Sequence, residues 1–244
     1  MTKNIYLSPK IFPTSQIFSG ITLKDEQNYP PYGFSITKAE ILSDEEVNRN
    51  RIIFAKNLNW ELSKIKFQKQ ISTNKVNIIS NNSKILEADG MVTDEKGLML
   101  VLSLADCCGI MIYSPDKKVI AALHSGWNGT RLNIVESGLK ILFNKYSVNL
   151  ESMLVWITPC AGKDDYEIGD DVAKYFPDFI TPINNGKYLL DLKGAIFNQL
   201  TNFGVKSENI EVSSESTISD LRFHSYRRDK SKSGRMAAFI ALLP

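Results

Sequence analysis

Histidine and cysteine are scarce in this chain: two histidines and three cysteines stand in 244 residues. So few imidazoles exclude any set of metal centres built from many histidines. Three cysteines are too few and too unevenly spaced for a disulfide framework, which points to a reducing compartment. No apolar run reaches the roughly 18 residues that a bilayer-spanning helix needs. The opening stretch MTKNIYLSPKIFPTSQ has neither a long apolar core nor a small-residue cleavage site, so no signal peptide is expected. A strong charge of one sign is also missing. The formal net charge of +2 offers no field for nucleic acid or an anionic membrane. The expectation is a cytoplasmic protein that takes a small molecule, as a monomer or small homo-oligomer.

What is present is ordinary globular composition, 43% hydrophobic and 23% charged, at a length that can bury a core unaided. NIYLSPKIFPTSQIFSGITLK alternates apolar and polar residues and predicts two short edge strands. Ser43 and Glu46 stand at capping-box spacing ahead of a helix carrying Val47, Phe54 and Leu58. KIKFQKQISTNKVNIIS predicts two strands around Ser72–Lys75, and GLMLVLSLAD a strand buried on both faces. GIMIY, the turn SPDK and KVIAAL predict a hairpin. In TRLNIVESGLKILFNKY, a helical face runs through Leu132, Val135, Leu139, Leu142, Phe143 and Tyr146. MLVWI is a further buried strand, and Asp191 and Gly204 bracket another helix. GRMAAFIALL reads as a final strand, with a short helix as the alternative. Strands and helices intermingle without a linker or repeat, so a single α+β domain of mixed sheets spanning 1–244 is expected.

The scarce residues are not scattered. Asp106, Cys107, Cys108 and His124 all fall within ADCCGIMIYSPDKKVIAALHSGWNGT. Cys108 and Cys160 lie in apolar surroundings and read as inert packing. Cys107 ends an apolar strand beside Asp106, and His124 closes the next strand before a glycine-rich turn. Hairpin-related strands would bring thiol and imidazole into one corner, as a catalytic dyad or as two metal ligands. Cys107, His124 and Asp106 are therefore the candidate catalytic residues. Gly126 and Gly129 let backbone approach a ligand at the start of a helix whose amides favour an anion. Arg227, Arg228 and Arg235, in FHSYRRDKSKSGR, could clamp phosphate or carboxylate, with Arg227 and Arg228 the first candidates for substrate binding.

These elements resemble a known family, the laccase-domain proteins, called multicopper polyphenol oxidases and also described as purine nucleoside phosphorylases. From about Asp44 onward, ADGMVT is similar to the family's ADALVT, ADC to TADC and HSGWNG to HAGWRG. YEIG is similar to YEVG, and SYRRDKSKSGR to SYRRDGxTGR. The resemblance implies a fold related to Cys–His toxin deamidases. It also implies a metal site of two histidines and a cysteine, here Cys107 and His124. The third ligand, the histidine of a Q-V-H-G-like segment, corresponds to Ser72 in QISTNKV, and a neutral hydroxyl is a poor ligand for zinc or copper. Weak, substoichiometric zinc is therefore expected, with copper less favoured. Asn128 stands where the family has arginine, Asp164–Asp165 where it has a cysteine pair, and Ser216 where it has a further cysteine.

Three activities compete under this resemblance. The first is phosphorolysis of adenosine or inosine, with possible adenosine deamination that an activated water would have to serve. The second is a metal-free cysteine hydrolase acting on a peptidoglycan precursor, and the third an inactive paralogue. Copper-dependent phenol oxidation ranks last, because two histidines cannot build several copper centres.

Overall fold

Ser43 sets where the first helix begins. The Glu46 amide donates to Ser43 Oγ at 3.2 Å, and the Ser43 amide donates to the Glu46 carboxylate at 2.8 Å, so the capping box forms. The structure, a computed structural model, describes residues 5–29, 33–37, 42–84 and 87–244. The helix that Ser43 starts is α1 (Asp44–Asn57), and it turns Val47, Phe54 and Ala55 inward.

Two sheets are stacked beside it. The first runs in the order β1 (Tyr6–Leu7), β2 (Ile17–Thr22), β14 (Met236–Leu242), β6 (Met99–Leu104) and β3 (Ile65–Lys66). The second runs β13 (Ile210–Val212), β9 (Leu154–Ile157), β7 (Cys108–Ser114), β8 (Val119–Ser125), β5 (Gly90–Thr93) and β4 (Val76–Ile78). Alternation along β14 shows the layering. Ala238, Ile240 and Leu242 face Met111, Tyr113 and Trp156 of the second sheet, while Ala237, Phe239 and Ala241 pack with Phe54 of α1. Strands covered on both faces must be apolar throughout, which is why MAAFIAL and LMLVLSL read as unbroken runs. On the far side of the second sheet lie α3 (Ile134–Tyr146) and α5 (Leu192–Phe203), so the layers run helix, sheet, sheet, helices.

A small sheet of β10 (Glu167–Gly169), β12 (Lys187–Leu190) and β11 (Ile180–Ile183) completes the architecture with the short helices α2 (Trp127–Arg131), α4 (Asp170–Ala173) and α6 (Tyr226–Asp229). This is the expected α+β domain of mixed sheets. Among the described residues no helix is long and apolar enough to cross a membrane.

The two strands expected around Ser72–Lys75 form, β3 pairing parallel with β6 and β4 parallel with β5 in a different sheet. Two expectations need correction. Phe143 is 52% exposed, off the buried face of α3, which comprises Ile134, Val135, Gly138, Leu139 and Leu142. At about 100° per residue Phe143 falls at the edge of that face, and Leu132 lies outside the helix, since Asn133, with a left-handed φ of 57°, separates α2 from α3. Finally, Cys108 and Cys160 are not separate packing residues but a bridged pair with Cα atoms 5.0 Å apart, leaving Cys107 free. Antiparallel pairing of β7 with β9 makes neighbours of positions 52 residues apart in the chain, a proximity that cysteine spacing does not encode.

Candidate active site

Strand direction builds the site. Because β5 and β7 both run antiparallel to β8, their beginnings lie beside its end. Asp89 precedes β5, Cys107 precedes β7, and His124 sits at the end of β8, opposite Gly109. The His124 amide also donates to the Asp89 carbonyl at 2.7 Å, which fixes the two backbones together.

The Asp89 side chain is fully buried and is an acceptor for everything around it. Its Oδ1 takes the Ser72 amide at 3.0 Å and His124 Nδ1 at 2.8 Å. Its Oδ2 takes the Ile71 amide at 3.2 Å and the Thr73 amide and hydroxyl at 2.7 and 2.9 Å. Burial would raise its pKa, but the bonds from His124 and Thr73 hold it below the ordinary 3.8. An ionised carboxylate only accepts, so Nδ1 carries a proton and the other ring nitrogen turns to Cys107, with which the imidazole makes a side-chain hydrogen bond. Burial alone would depress the His124 pKa. The charge of Cys107 and the bond to Asp89 outweigh it and raise the value to about 9. At neutral pH this corner therefore holds an imidazolium clamped between a carboxylate and a sulfur. Gly126 is required here, since a Cβ at that position would lie 2.7 Å from Cys107 Sγ.

Cys107 and His124 open on a cleft of about 580 Å³, whose wall includes Gln68, Gln70, Ser72, Arg51, Tyr226 and Arg235. Half-buried Arg235, whose pKa burial lowers, lies within electrostatic reach of Cys107. A second depression of about 350 Å³ is lined by Trp127, Tyr166 and Arg227. Tyr166 is pushed up to about 12 by burial first and then by the charge of Cys107, with Arg227 opposing.

The sequence candidates separate on this geometry. Cys107 and His124 meet, and Ser72 stands on the same cleft wall, as the motif resemblance implies. Asp106 adopts a left-handed φ of 77° and points elsewhere. Its carboxylate accepts from Thr217 Oγ1 at 2.8 Å and the Arg227 amide at 2.6 Å, so it positions the α6 segment rather than facing the cleft. Gly129 is buried within α2 beneath the His124 carbonyl, where the tight approach is to protein and not to a ligand. Arg227 stacks on Tyr166, with its guanidinium carbon 5.3 Å from the ring centre, and faces the smaller depression.

Arg228 does not act as a free clamp. Its guanidinium donates to the carbonyls of Thr217, Ile218 and Phe223 at 2.9–3.0 Å and to the Asp229 carboxylate. Arg228→Ala is expected to lower stability by roughly 2–4 kcal/mol, since it strands buried acceptors. Urea unfolding would show this. Unchanged stability would return Arg228 to the binding site.

Asp89, Gln68, Arg51 and Tyr226 are site residues that the sequence reading did not single out. Asp89 lies within the ADGMVT element already noted, and its place immediately before a strand was the available signal.

The donor set does not fit a catalytic zinc, which takes three protein ligands and one open position. Cys107 and His124 supply two, Ser72 offers a neutral hydroxyl, and Asp89 is committed to His124 and to backbone amides. Among the described residues no group of three or more His, Cys, Asp or Glu side chains is arranged to hold a metal ion.

Comparison with known proteins agrees with the motif resemblance. Residues 35–243 match the family model described as multi-copper polyphenol oxidoreductase laccase. A Staphylococcus saprophyticus protein named purine nucleoside phosphorylase is 30% identical over 243 residues, covering 91% of this chain and 90% of that one. A Staphylococcus epidermidis protein of the same name is 28% identical, covering 98% and 96%. Among solved structures, YlmD from Geobacillus stearothermophilus superposes with a TM-score of 0.88 at 24% identity, over 99% of this chain and all of that one. The hypothetical protein YfiH of Bacillus licheniformis gives 0.86 at 25% identity, over 98% and 100%.

Proposed function

Because the chain belongs to the multi-copper polyphenol oxidoreductase laccase family, we propose that it cleaves purine nucleosides with phosphate, in the cytoplasm and without a metal step. Adenosine and inosine are the substrates. Relatives named purine nucleoside phosphorylase support this reading. The observation that carries it is His124, fixed on Asp89 at 2.8 Å on the wall of an arginine-lined cleft of about 580 Å³, within the roughly 300–1,000 Å³ of ordinary ligand sites.

In this reading a phosphate oxygen forms a bond to the ribose anomeric carbon while the bond from that carbon to the purine nitrogen breaks. The electron pair leaves with the base, and His124 delivers the proton that neutralises it. Arg235, on the cleft wall with Cys107 and His124, holds the phosphate by charge, while Arg227 faces the neighbouring depression with Tyr166. Cys107, hydrogen-bonded to the imidazole, together with Asp89 holds the His124 ring in place. Deamination of adenosine needs an activated water, for which a metal hydroxide is the usual source, so it is not part of the proposal.

A second reading is favoured by the Cys107–His124–Asp89 alignment, which is also that of a cysteine hydrolase with an oriented base. It would act on an amide of a peptidoglycan precursor, consistent with a kinship to Cys–His toxin deamidases. One experiment separates the two. Hypoxanthine release from inosine is expected to require phosphate and to persist at a reduced rate in Cys107→Ser. Equal release without phosphate rejects phosphorolysis. Complete loss in Cys107→Ser, with alkylation of Cys107 tracking inactivation, favours the nucleophilic thiol.

A further inference from the structure

Two glutamines stand side by side on the cleft wall with opposite fates. Gln70 is spent on protein: its Nε2 donates to the Ser103 carbonyl at 3.0 Å, and its Oε1 accepts the Ser103 amide at 2.7 Å. Gln68 also lines the cleft, yet both its Oε1 and Nε2 are shut off from water and have no hydrogen-bond partner. Leaving a buried polar group unmade costs about 1–3 kcal/mol, so native proteins rarely keep a whole carboxamide in that state without a use for it. The adjoining walls are flat and cationic. The Arg51 guanidinium lies 4.4 Å from the centre of the Phe67 ring, and Arg235 lies 5.4 Å from that of Tyr226, which is half exposed. Aromatic rings and guanidinium planes are the surfaces on which nucleobases stack.

We infer that Gln68 turns its sealed, unpartnered carboxamide out into the cleft when a base enters and reads the edge of the purine, with Phe67 and Tyr226 as its stacking walls; this rests on the phosphorolysis reading above. A carboxamide presents one donor and one acceptor side by side. Adenine offers the complement through its 6-amino group and adjacent ring nitrogen, and hypoxanthine offers it in reverse through N1–H and O6. Rotating the amide by half a turn exchanges the two patterns, so one side chain accepts both 6-amino and 6-oxo purines. A glutamate would break that symmetry. It only accepts, which suits the paired N1–H and 2-amino donors of guanine and opposes the ring nitrogen of adenine.

The test compares the full chain with Gln68→Leu and Gln68→Glu, at saturating phosphate, on adenosine, inosine and guanosine. Calorimetric binding of free adenine is measured in parallel, and thermal unfolding confirms that each variant is folded. Gln68→Leu is expected to lose about 10–100-fold in kcat/KM for adenosine and inosine, with KM for phosphate unchanged. Gln68→Glu is expected to shift the guanosine-to-adenosine ratio by at least about tenfold. A ratio unchanged across the three proteins overturns the base-reading role while phosphorolysis stands. Absence of phosphate-dependent turnover in the wild type instead removes the phosphorolysis reading. In that case weaker adenine binding by Gln68→Leu still supports the subsite, and equal or absent binding ends it.

Discussion

Asp89→Asn is expected to reduce turnover by about 10³–10⁴-fold and to lower stability by roughly 3–5 kcal/mol, although the change removes only a charge and keeps the shape. The reason is the number of donors that converge on this one carboxylate. An asparagine has a single acceptor oxygen, and its amide must be placed toward one cluster or the other. Set toward the Oδ2 position, the NH₂ confronts the Ile71 and Thr73 amides, which are left without an acceptor. Set toward the Oδ1 position, it confronts the Ser72 amide and obliges His124 Nδ1 to give up its proton and accept. The second choice restores one hydrogen bond but leaves a neutral ring facing Cys107, so no imidazolium is poised over the cleft. Either placement damages the 71–73 loop or the acid. The carboxylate's contribution also has a pH signature. Its folded pKa lies below the ordinary 3.8, so that contribution is present above this value and is lost as pH falls through the folded one. Kinetics with urea unfolding of the variant decides the matter. Near-normal kcat in Asp89→Asn would mean that something other than Asp89 sets the histidine's tautomer.

Much of this was legible in the chain, and what was not has a common cause. Capping residues act locally, so Ser43 and Asp191 mark their helices from sequence alone, and the Asp191 side chain accepts from the Gly194 amide as expected. The β7–β8 hairpin is local too, and it sufficed to bring Cys107 toward His124. The misses involve partners far apart in the chain. Asp89 reaches the site because β5 pairs with β8, and Asp106 is claimed by Thr217 from a loop more than 100 positions downstream. Arg228 looked like a free cation only because the carbonyls that absorb it belong to a coil with no pattern of its own. Gln68 differs from Gln70 in nothing that spacing can express, since the distinction lies wholly in whether Ser103 is within reach.

The second large effect concerns His124 and its pH dependence. His124→Gln keeps a donor on the ring's footprint but cannot release a proton, and kcat is expected to fall by about 10²–10⁴-fold with little change in KM. The same substitution reports on stability. In the folded protein His124 titrates near 9 against the ordinary 6.5, because the charge of Cys107 and the bond to Asp89 overcome burial. Its contribution is therefore complete below about pH 6.5 and is lost as pH rises through about 9, a change on the order of 3 kcal/mol. His224 works in the opposite direction. It is buried, its Nε2 donates to the Phe34 carbonyl at 2.7 Å, and burial drives its pKa down to about 4, so the stability it permits is lost as pH falls from 6.5 through 4. Wild-type stability should thus peak near neutrality and fall on both sides, for two separate histidines. In His124→Gln the alkaline fall should flatten while the acid fall remains. Urea midpoints measured from pH 5 to 9.5 would show this difference. An alkaline slope identical in wild type and variant would mean that His124 is not charged at neutral pH, and the proton donor required for departure of the base would have to be sought elsewhere on the cleft.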